Sequence, residues 1–176
     1  MLSDEQLMLE FQRGEAKAFQ ELFERYRNPI YRFFRRRLSN ISRAEDMAQD
    51  TFVIILRGTE RYETRAKFRT YLYSVALKLL WTERRKQARE AAMSRETAEL
   101  QESNSPMEGL WVRDALERLD ADHREILMLR EYEQLSYEEI GDVLKIPLNT
   151  VRSRLFRARA ELKGFLEPQT TREASR

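Results

Sequence analysis

The stretch "LSYEEIGDVLKIPLNTVRSRLFRARAEL", Leu135 to Leu162, decides how the rest of the chain is read. "SYEE" (Ser136 to Glu139) is a capping box: the serine can serve the backbone three residues on, and the glutamate can return the bond. It opens a short helix that turns Ile140, Val143 and Leu144 inward. "KIP" (Lys145 to Pro147) then leads into a second, arginine-rich helix. A short helix, a tight turn and a basic helix make a helix-turn-helix.

The second helix has two faces. At about 100° per residue, with Val151 as origin, Leu155, Ala158 and Leu162 fall within about 40° of it and form the seam to be buried. Ser153, Phe156 and Arg157 fall between about 140° and 240°, with Arg152 near 100°. Arg154 and Arg159 flank the seam. A large aromatic on an outward basic face is out of place in a helix that merely meets water. It suits a helix that enters a DNA groove. There arginines bind phosphates or guanine acceptors, serine bonds to either, and an aromatic edge packs on a thymine methyl. The alternative is that Phe156 packs on a neighbouring helix or domain.

The composition extends the helical reading to the whole chain. Of 176 residues, 35% are charged and 41% hydrophobic, with only 5 Gly and 4 Pro to break long amphipathic elements. No cysteine is present, which excludes a disulfide framework, thiol catalysis and cysteine zinc sites. The single histidine, His123 in "DADHRE", cannot build a metal site by itself and reads as a surface or helix-start residue. No phosphate-binding glycine loop, nucleophile–base pair or metal cluster is evident, so no enzyme activity, metal or cofactor is expected. The opening "MLSDEQLMLEFQRGEAKAF" carries early acids and no unbroken apolar core, unlike a signal peptide. No run approaches a membrane span. A cytoplasmic protein without membrane contact of its own is expected.

The net charge of +2 conceals a strong pattern. Lys and Arg exceed Asp and Glu by 6 over residues 63–89 and by 5 over 145–163, whereas acids dominate 90–144. Two basic segments separated by acidic ones suit nucleic-acid contact at two places.

Two helical blocks follow from pattern. In the first, "SDEQ" (Ser3 to Gln6) caps a helix carrying Leu7 and Phe11, with Gly14 as its stop. A second helix carries Phe19, Leu22, Phe23 and Tyr26. Asn28-Pro29 is expected to interrupt it before the pattern resumes at Ile30, Phe33, Phe34 and Leu38. "SRAE" (Ser42 to Glu45) is expected to cap a helix with Met47, Ala48, Ile55 and Leu56 inward. A long helix then buries Phe68, Leu72, Val75, Ala76 and Leu79. The stretch "EAAMSRETAELQESNS" (Glu90 to Ser105) reads as a fraying helix end and a flexible linker. In the second block "SPME" (Ser105 to Glu108) opens a helix marked by Leu110, Leu116 and Leu119. Another begins at Ala121 and carries Ile126, Leu127 and Leu129. The expected fold is all-α: two small helical domains joined by a flexible linker, the C-terminal one a helix-turn-helix. The expected boundaries are 1–92, a linker 93–105, 106–167 and a tail 168–176 without assigned role.

Taken together, these segments resemble bacterial extracytoplasmic-function (ECF) sigma factors, the two-domain initiation factors of RNA polymerase. "LSYEEIGDVLKIPLNTVRSRLFRARAEL" resembles the family's minus-35 helix-turn-helix, which implies contacts from Thr150, Arg152, Ser153, Phe156 and Arg157. "AEDMAQDTFVIIL" resembles the segment that docks on the clamp helices of the largest polymerase subunit. Asp46, Gln49 and Asp50 lie one turn apart off the apolar stripe, where they present acceptors to a basic partner. The resemblance adds Phe52. "FRTYLYSVALKLLWTERRKQAR" resembles the segment that captures and melts the minus-10 element. Holding a single strand calls for a basic track with aromatic contacts, and Arg69, Tyr71, Lys78, Arg84 and Arg85 supply candidates. The loop "RYETRAK" corresponds to the family's pocket for a flipped-out base, which implies Tyr62, Arg65 and Lys67. "DEQLMLEFQRGEAKAFQELFERYRNPIYRF" resembles the family's opening helices. The resemblance further implies contact with the flap of the second-largest polymerase subunit, with promoter DNA and with an anti-sigma factor.

There are departures from the family pattern. Lys78 stands where asparagine is usual, Leu77 where arginine is frequent, and Thr82 where aspartate is frequent. Lysine offers donors only, so phosphate contact at Lys78 is easier to defend than base readout. Lys145 replaces a common glycine, at a cost of about 1 kcal/mol if the turn is left-handed. A stand-alone helix-turn-helix regulator would leave the docking helix and the basic helix of 63–89 without a role.

Overall fold

Helix α1 (Asp4–Gln12) starts on the capping box predicted for it. Ser3 accepts from the Gln6 N–H, and the Gln6 side chain accepts from the Ser3 N–H at 2.8 Å. It ends in a Schellman arrangement, with Glu15 N–H donating to Glu10 O and Gly14 N–H to Phe11 O. That turn requires Gly14 at φ +102°, a conformation open to glycine and strained for other residues.

These elements come from a computed structural model that describes residues 1–63, 66–93 and 110–167. All regular structure among them is helical. The chain forms two compact units, Met1–Asn104 and Ser105–Arg176.

In the first unit α1 packs on α2 (Ala16–Arg35), α2 on α3 (Ile41–Arg57), and α3 on α4 (Phe68–Met93). A 3₁₀ turn at Thr59–Arg61 follows α3. Four expectations need correction. Pro29 does not interrupt α2, which runs through it. The missing N–H costs about 3 kcal/mol in a helix interior. Burial of Ala18 and Leu22 before it, and of Ile30, Phe33 and Phe34 after it on a continuous face, outweighs that cost. Ser42 does not cap α3. The helix begins two residues earlier, at Ile41, with Asn40 Oδ1 accepting from the Arg43 N–H at 2.9 Å. Leu56 is exposed rather than inward, and on α4 the fully buried position is Leu80, with Leu79 half-buried.

The second unit packs α5 (Leu110–Glu117), α6 (Ala121–Glu131) and α7 (Tyr137–Leu144) around α8 (Leu148–Leu166). Ala115, Leu119, Ile126, Leu127 and Leu129 are buried with Val151, Leu155 and Ala158. Leu116 and Leu144 are half-buried. The "SYEE" box forms as read, with Ser136 Oγ accepting from Glu139 N–H and Glu139 Oε2 accepting from Ser136 N–H. The expected start at "SPME", most of the linker and the tail 168–176 lie outside the described residues.

Candidate nucleic-acid and polymerase interfaces

The turn between α7 and α8 sets the pose of the recognition helix. Lys145 sits there at φ 57°, ψ 44°, a left-handed conformation that favours glycine. The Ile146 N–H donates to Gly141 O at 3.0 Å. A Cβ on Gly141 would lie 3.0 Å from the Ile146 carbonyl oxygen, a tight contact that a larger residue could make only if the turn shifted by a few tenths of an ångström.

On α8 the two faces separate as the periodicity predicts. Val151, Leu155 and Ala158 are buried, while Arg152, Ser153, Phe156 and Arg157 are exposed and Thr150 is half-buried. Phe156 is 76% exposed, so most of its surface faces solvent. The flanking arginines are taken by acids of α6. Arg154 pairs with Asp122 at 3.2 Å and Arg159 with Glu131 at 2.8 Å. The Glu131 hydrogen bond, joined by one to Tyr137, raises the Arg159 pKa. Among the described residues neither Arg152 nor Arg157 joins an ion pair; Arg152 only approaches Asn149 Oδ1 at 3.4 Å. Ser153 Oγ donates to Thr150 O at 3.1 Å. His123 Nδ1 lies 3.0 Å from Glu161 Oε2 with Asp120 nearby, a polar tie between α6 and α8.

On α3, Asp46, Gln49 and Asp50 are exposed on one face, and Val53 extends it at 38% exposure. Phe52 is not on that face, which corrects its assignment as a partner contact. Six residues beyond Asp46 the helix has turned about 240°. Phe52 is therefore buried, 5% exposed, with its ring edge-on to Phe23 at 4.9 Å.

The basic loop and α4 divide their residues between core and surface. Tyr62 is core, which corrects its assignment as a base-pocket residue. It is 6% exposed, and its ring lies 5.5 Å from Tyr71 and 6.2 Å from Phe68. Its hydroxyl donates to Ala66 O at 2.9 Å, and burial, aided by the nearby Glu5 and Asp4 charges, pushes its pKa up to about 12. Tyr71 is half-buried and its pKa is likewise raised by burial. Arg69 is half-buried, with its guanidinium 5.9 Å over the Tyr73 ring. Lys67, Lys78 and Arg85 are exposed, Arg84 is half-buried, and Arg65 lies outside the described residues.

Lys78, Trp81, Thr82, Arg85 and Arg89 follow i, i+3, i+4, i+7, i+11 spacing and are all exposed, which makes one stripe of α4. Trp81, 41% exposed in the middle of it, belongs with the candidate contacts. The sequence already offers it as one of the aromatics of this basic segment, and helical periodicity from Lys78 singles it out from those that face the core. Arg43 anchors the same helix to α3 through Glu83, at 2.6 Å. That hydrogen bond lowers the pKa of the Glu83 carboxyl against the opposing pull of its burial.

Residues 22–90 match the family described as Sigma-70 region 2, and residues 109–162 match Sigma-70, region 4. Regions 2 and 4 on one chain mark the sigma-70 class. The RNA polymerase sigma-H factor of Pseudomonas aeruginosa is 33% identical over 94% of this chain and 94% of its own length. The ECF RNA polymerase sigma-E factor of Haemophilus influenzae is 30% identical over 95% of this chain and 97% of its own. The chain belongs to the ECF sigma factor family of RNA polymerase. The fold is shared with the sigma factor RpoE of Bartonella quintana in its complex with the anti-sigma factor NepR. That likeness has a TM-score of 0.73 at 23% identity, over 88% of this chain and 99% of that one. CnrH in complex with the cytosolic domain of CnrY gives a TM-score of 0.70 at 24% identity, over 93% and 96%.

Proposed function

We propose that this sigma factor directs core RNA polymerase to promoters through three separate surfaces. The outward face of α8 (Arg152, Ser153, Phe156, Arg157, with Thr150 at its start) reads the duplex minus-35 element. The exposed α4 stripe, with Lys67 of the preceding loop, holds the melted minus-10 strand. There Lys78 and Arg85 meet phosphate, and Trp81 offers a stacking surface. Asp46, Gln49 and Asp50 of α3 present carboxylate and amide acceptors to the clamp helices of the largest polymerase subunit. Residues 1–92 thus serve polymerase docking and melting, and 106–167 serve minus-35 recognition. The flap of the second-largest subunit is a further proposed partner.

The observation that carries this reading is the segregation of charge on α8. Its flanking arginines are neutralised within the fold, whereas Arg152 and Arg157 face outward beside a bare phenylalanine. The factor assembles a polymerase and carries out no reaction of its own, and it works in the cytoplasm where the polymerase is. An anti-sigma factor is a further proposed partner, since two solved proteins that share this fold were captured with a second protein bound. The decisive test is transcription in vitro with core polymerase on a promoter library. Initiation from a defined subset of promoters is expected. No initiation above core polymerase alone would refute the reading.

A further inference from the structure

We infer that Asp120, His123 and Glu161 form a binding site for a divalent transition-metal ion of the zinc class, which ties α6 to the recognition helix α8. The inference goes beyond the proposed promoter reading and does not depend on it.

His123 builds no site by itself, but the fold brings Glu161, 38 residues on, to its imidazole. His123 Nδ1 lies 3.0 Å from Glu161 Oε2, and one donor atom from each of Asp120, His123 and Glu161 lies within 4.8 Å of the others. Donors that share a zinc ion at about 2.0–2.2 Å stand roughly 3.3 Å apart. The His123–Glu161 pair is already close to that spacing. Asp120 and Glu161 are exposed, so rotation of their side chains closes the remaining edges. Asp120 and His123 lie three residues apart at the start of α6 and therefore share a face.

The Asp120 carboxylate has no other task in the fold. It is the N-cap of α6, where an aspartate ordinarily accepts from an N–H of the first turn. Here the side chain makes no capping bond, and among the described residues it joins no ion pair. Neighbouring cations are engaged elsewhere. Arg124 donates to the carbonyl oxygens of Leu116, Glu117 and Leu119, and Arg154 pairs with Asp122.

The donor set selects the ion. Imidazole nitrogen suits zinc, copper and nickel, whereas sets made of oxygen alone suit magnesium and calcium. Two carboxylate charges balance a divalent ion, and a water completes the tetrahedron. At about 100° per residue Glu161 falls about 20° from Arg154 and off the arc of Ser153, Phe156 and Arg157. The ion would therefore fasten α8 from its α6 flank and leave the outward face free.

The test uses the full chain without a histidine tag, stripped of metal with a chelator and titrated with zinc chloride by calorimetry. A single zinc ion per chain should bind and raise the melting temperature. His123→Ala should weaken zinc binding by about 100-fold or more, beyond the loss of about 10–100-fold typical of residues that only support a ligand. Asp120→Asn separates ligand from scaffold. Asparagine caps a helix as well as aspartate does, so the melting temperature without metal should match the wild type. Zinc affinity should nevertheless fall at least about tenfold. Magnesium at the same concentrations should leave the melting temperature unchanged. Unaltered zinc affinity in either variant would overturn the inference. So would an equal response to magnesium, which marks a diffuse acidic surface, or a wild-type chain that takes up no zinc.

Discussion

The α8 face and the 62–85 segment are both basic and aromatic, yet the fold treats them differently. On α8 the outward residues lie on one uninterrupted helix over a single seam, and the side chains fall where a 100° step places them. In 62–85 the chain passes from loop to helix while packing against α1, α2 and α3, and its aromatics other than Trp81 are drawn wholly or partly into the core. Phe156 stays out at 76% exposure, whereas Tyr62 goes in at 6%. An aromatic in a basic run is thus a candidate base contact only where one regular element alone decides its direction. The α3 helix repeats the lesson on a smaller scale: Asp46, Gln49 and Asp50 share a face, and Phe52 belongs to the core behind it.

The largest expected effect separates core from contact. Phe52→Ala should lower the stability of the chain by about 3–5 kcal/mol, read as a drop in the denaturant midpoint. Asp46→Ala with Asp50→Ala should leave stability within about 0.5 kcal/mol and weaken binding to core polymerase. If Phe52→Ala stayed fully stable while polymerase binding fell, the division drawn on α3 would be wrong. Tyr62→Ala belongs with Phe52→Ala, because its ring and hydroxyl are both used inside the fold.

Next come the outward residues of α8. Arg152→Ala and Arg157→Ala should each cost about 1–3 kcal/mol of promoter binding, measured as the affinity of the polymerase holoenzyme for minus-35 duplex. Core-polymerase affinity should not change. Phe156→Ala should redistribute preference among promoters more than it lowers overall affinity. A uniform loss across all promoters would indicate that Phe156 packs against protein in the assembled state.

Much of this division was legible in the sequence. Capping boxes at Ser3 and Ser136, the stop at Gly14 and the α8 seam all depend on spacing within about one turn, which the sequence displays directly. Passage of α2 through Pro29 was not legible, since it depends on apolar burial against other helices outweighing a lost hydrogen bond. The true cap of α3 was missed because "SRAE" satisfies the serine–glutamate pattern while Asn40, two residues earlier, satisfies the backbone. Tyr62 misled for a related reason. Its partners Phe68 and Tyr71 are close in sequence, but only the loop's closure onto α4 and α1 turns the ring inward.

A smaller effect tests how α4 is held in place. Glu83 has a folded-state pKa below its ordinary value near 4.5, because Arg43 hydrogen-bonds the carboxylate. The pair therefore stabilises the fold fully above the unfolded pKa. Its contribution fades as pH falls below about 4.5 and disappears below the lowered folded value. Glu83→Gln should lose about 1–2 kcal/mol at neutral pH. The gap between its melting temperature and that of the wild type should close on acidification. A gap that stayed constant down to the acid transition would show that the Glu83 charge contributes nothing to holding α4 on α3.

The smallest effect concerns the turn before α8. Lys145 occupies a left-handed conformation at φ 57° in which a side chain costs about 1 kcal/mol relative to glycine. Lys145→Gly should therefore raise stability, a rare sign for a substitution that removes a side chain. The gain should be less than about 1 kcal/mol, because glycine also enlarges the entropy of the unfolded chain. The substitution leaves the α8 face untouched, so minus-35 specificity should survive even where lost lysine charge lowers affinity at low salt. If Lys145→Gly instead altered base preference at the minus-35 element, the turn would be part of the reading surface. The clean separation of reading face and scaffold in the second unit would then have to be redrawn.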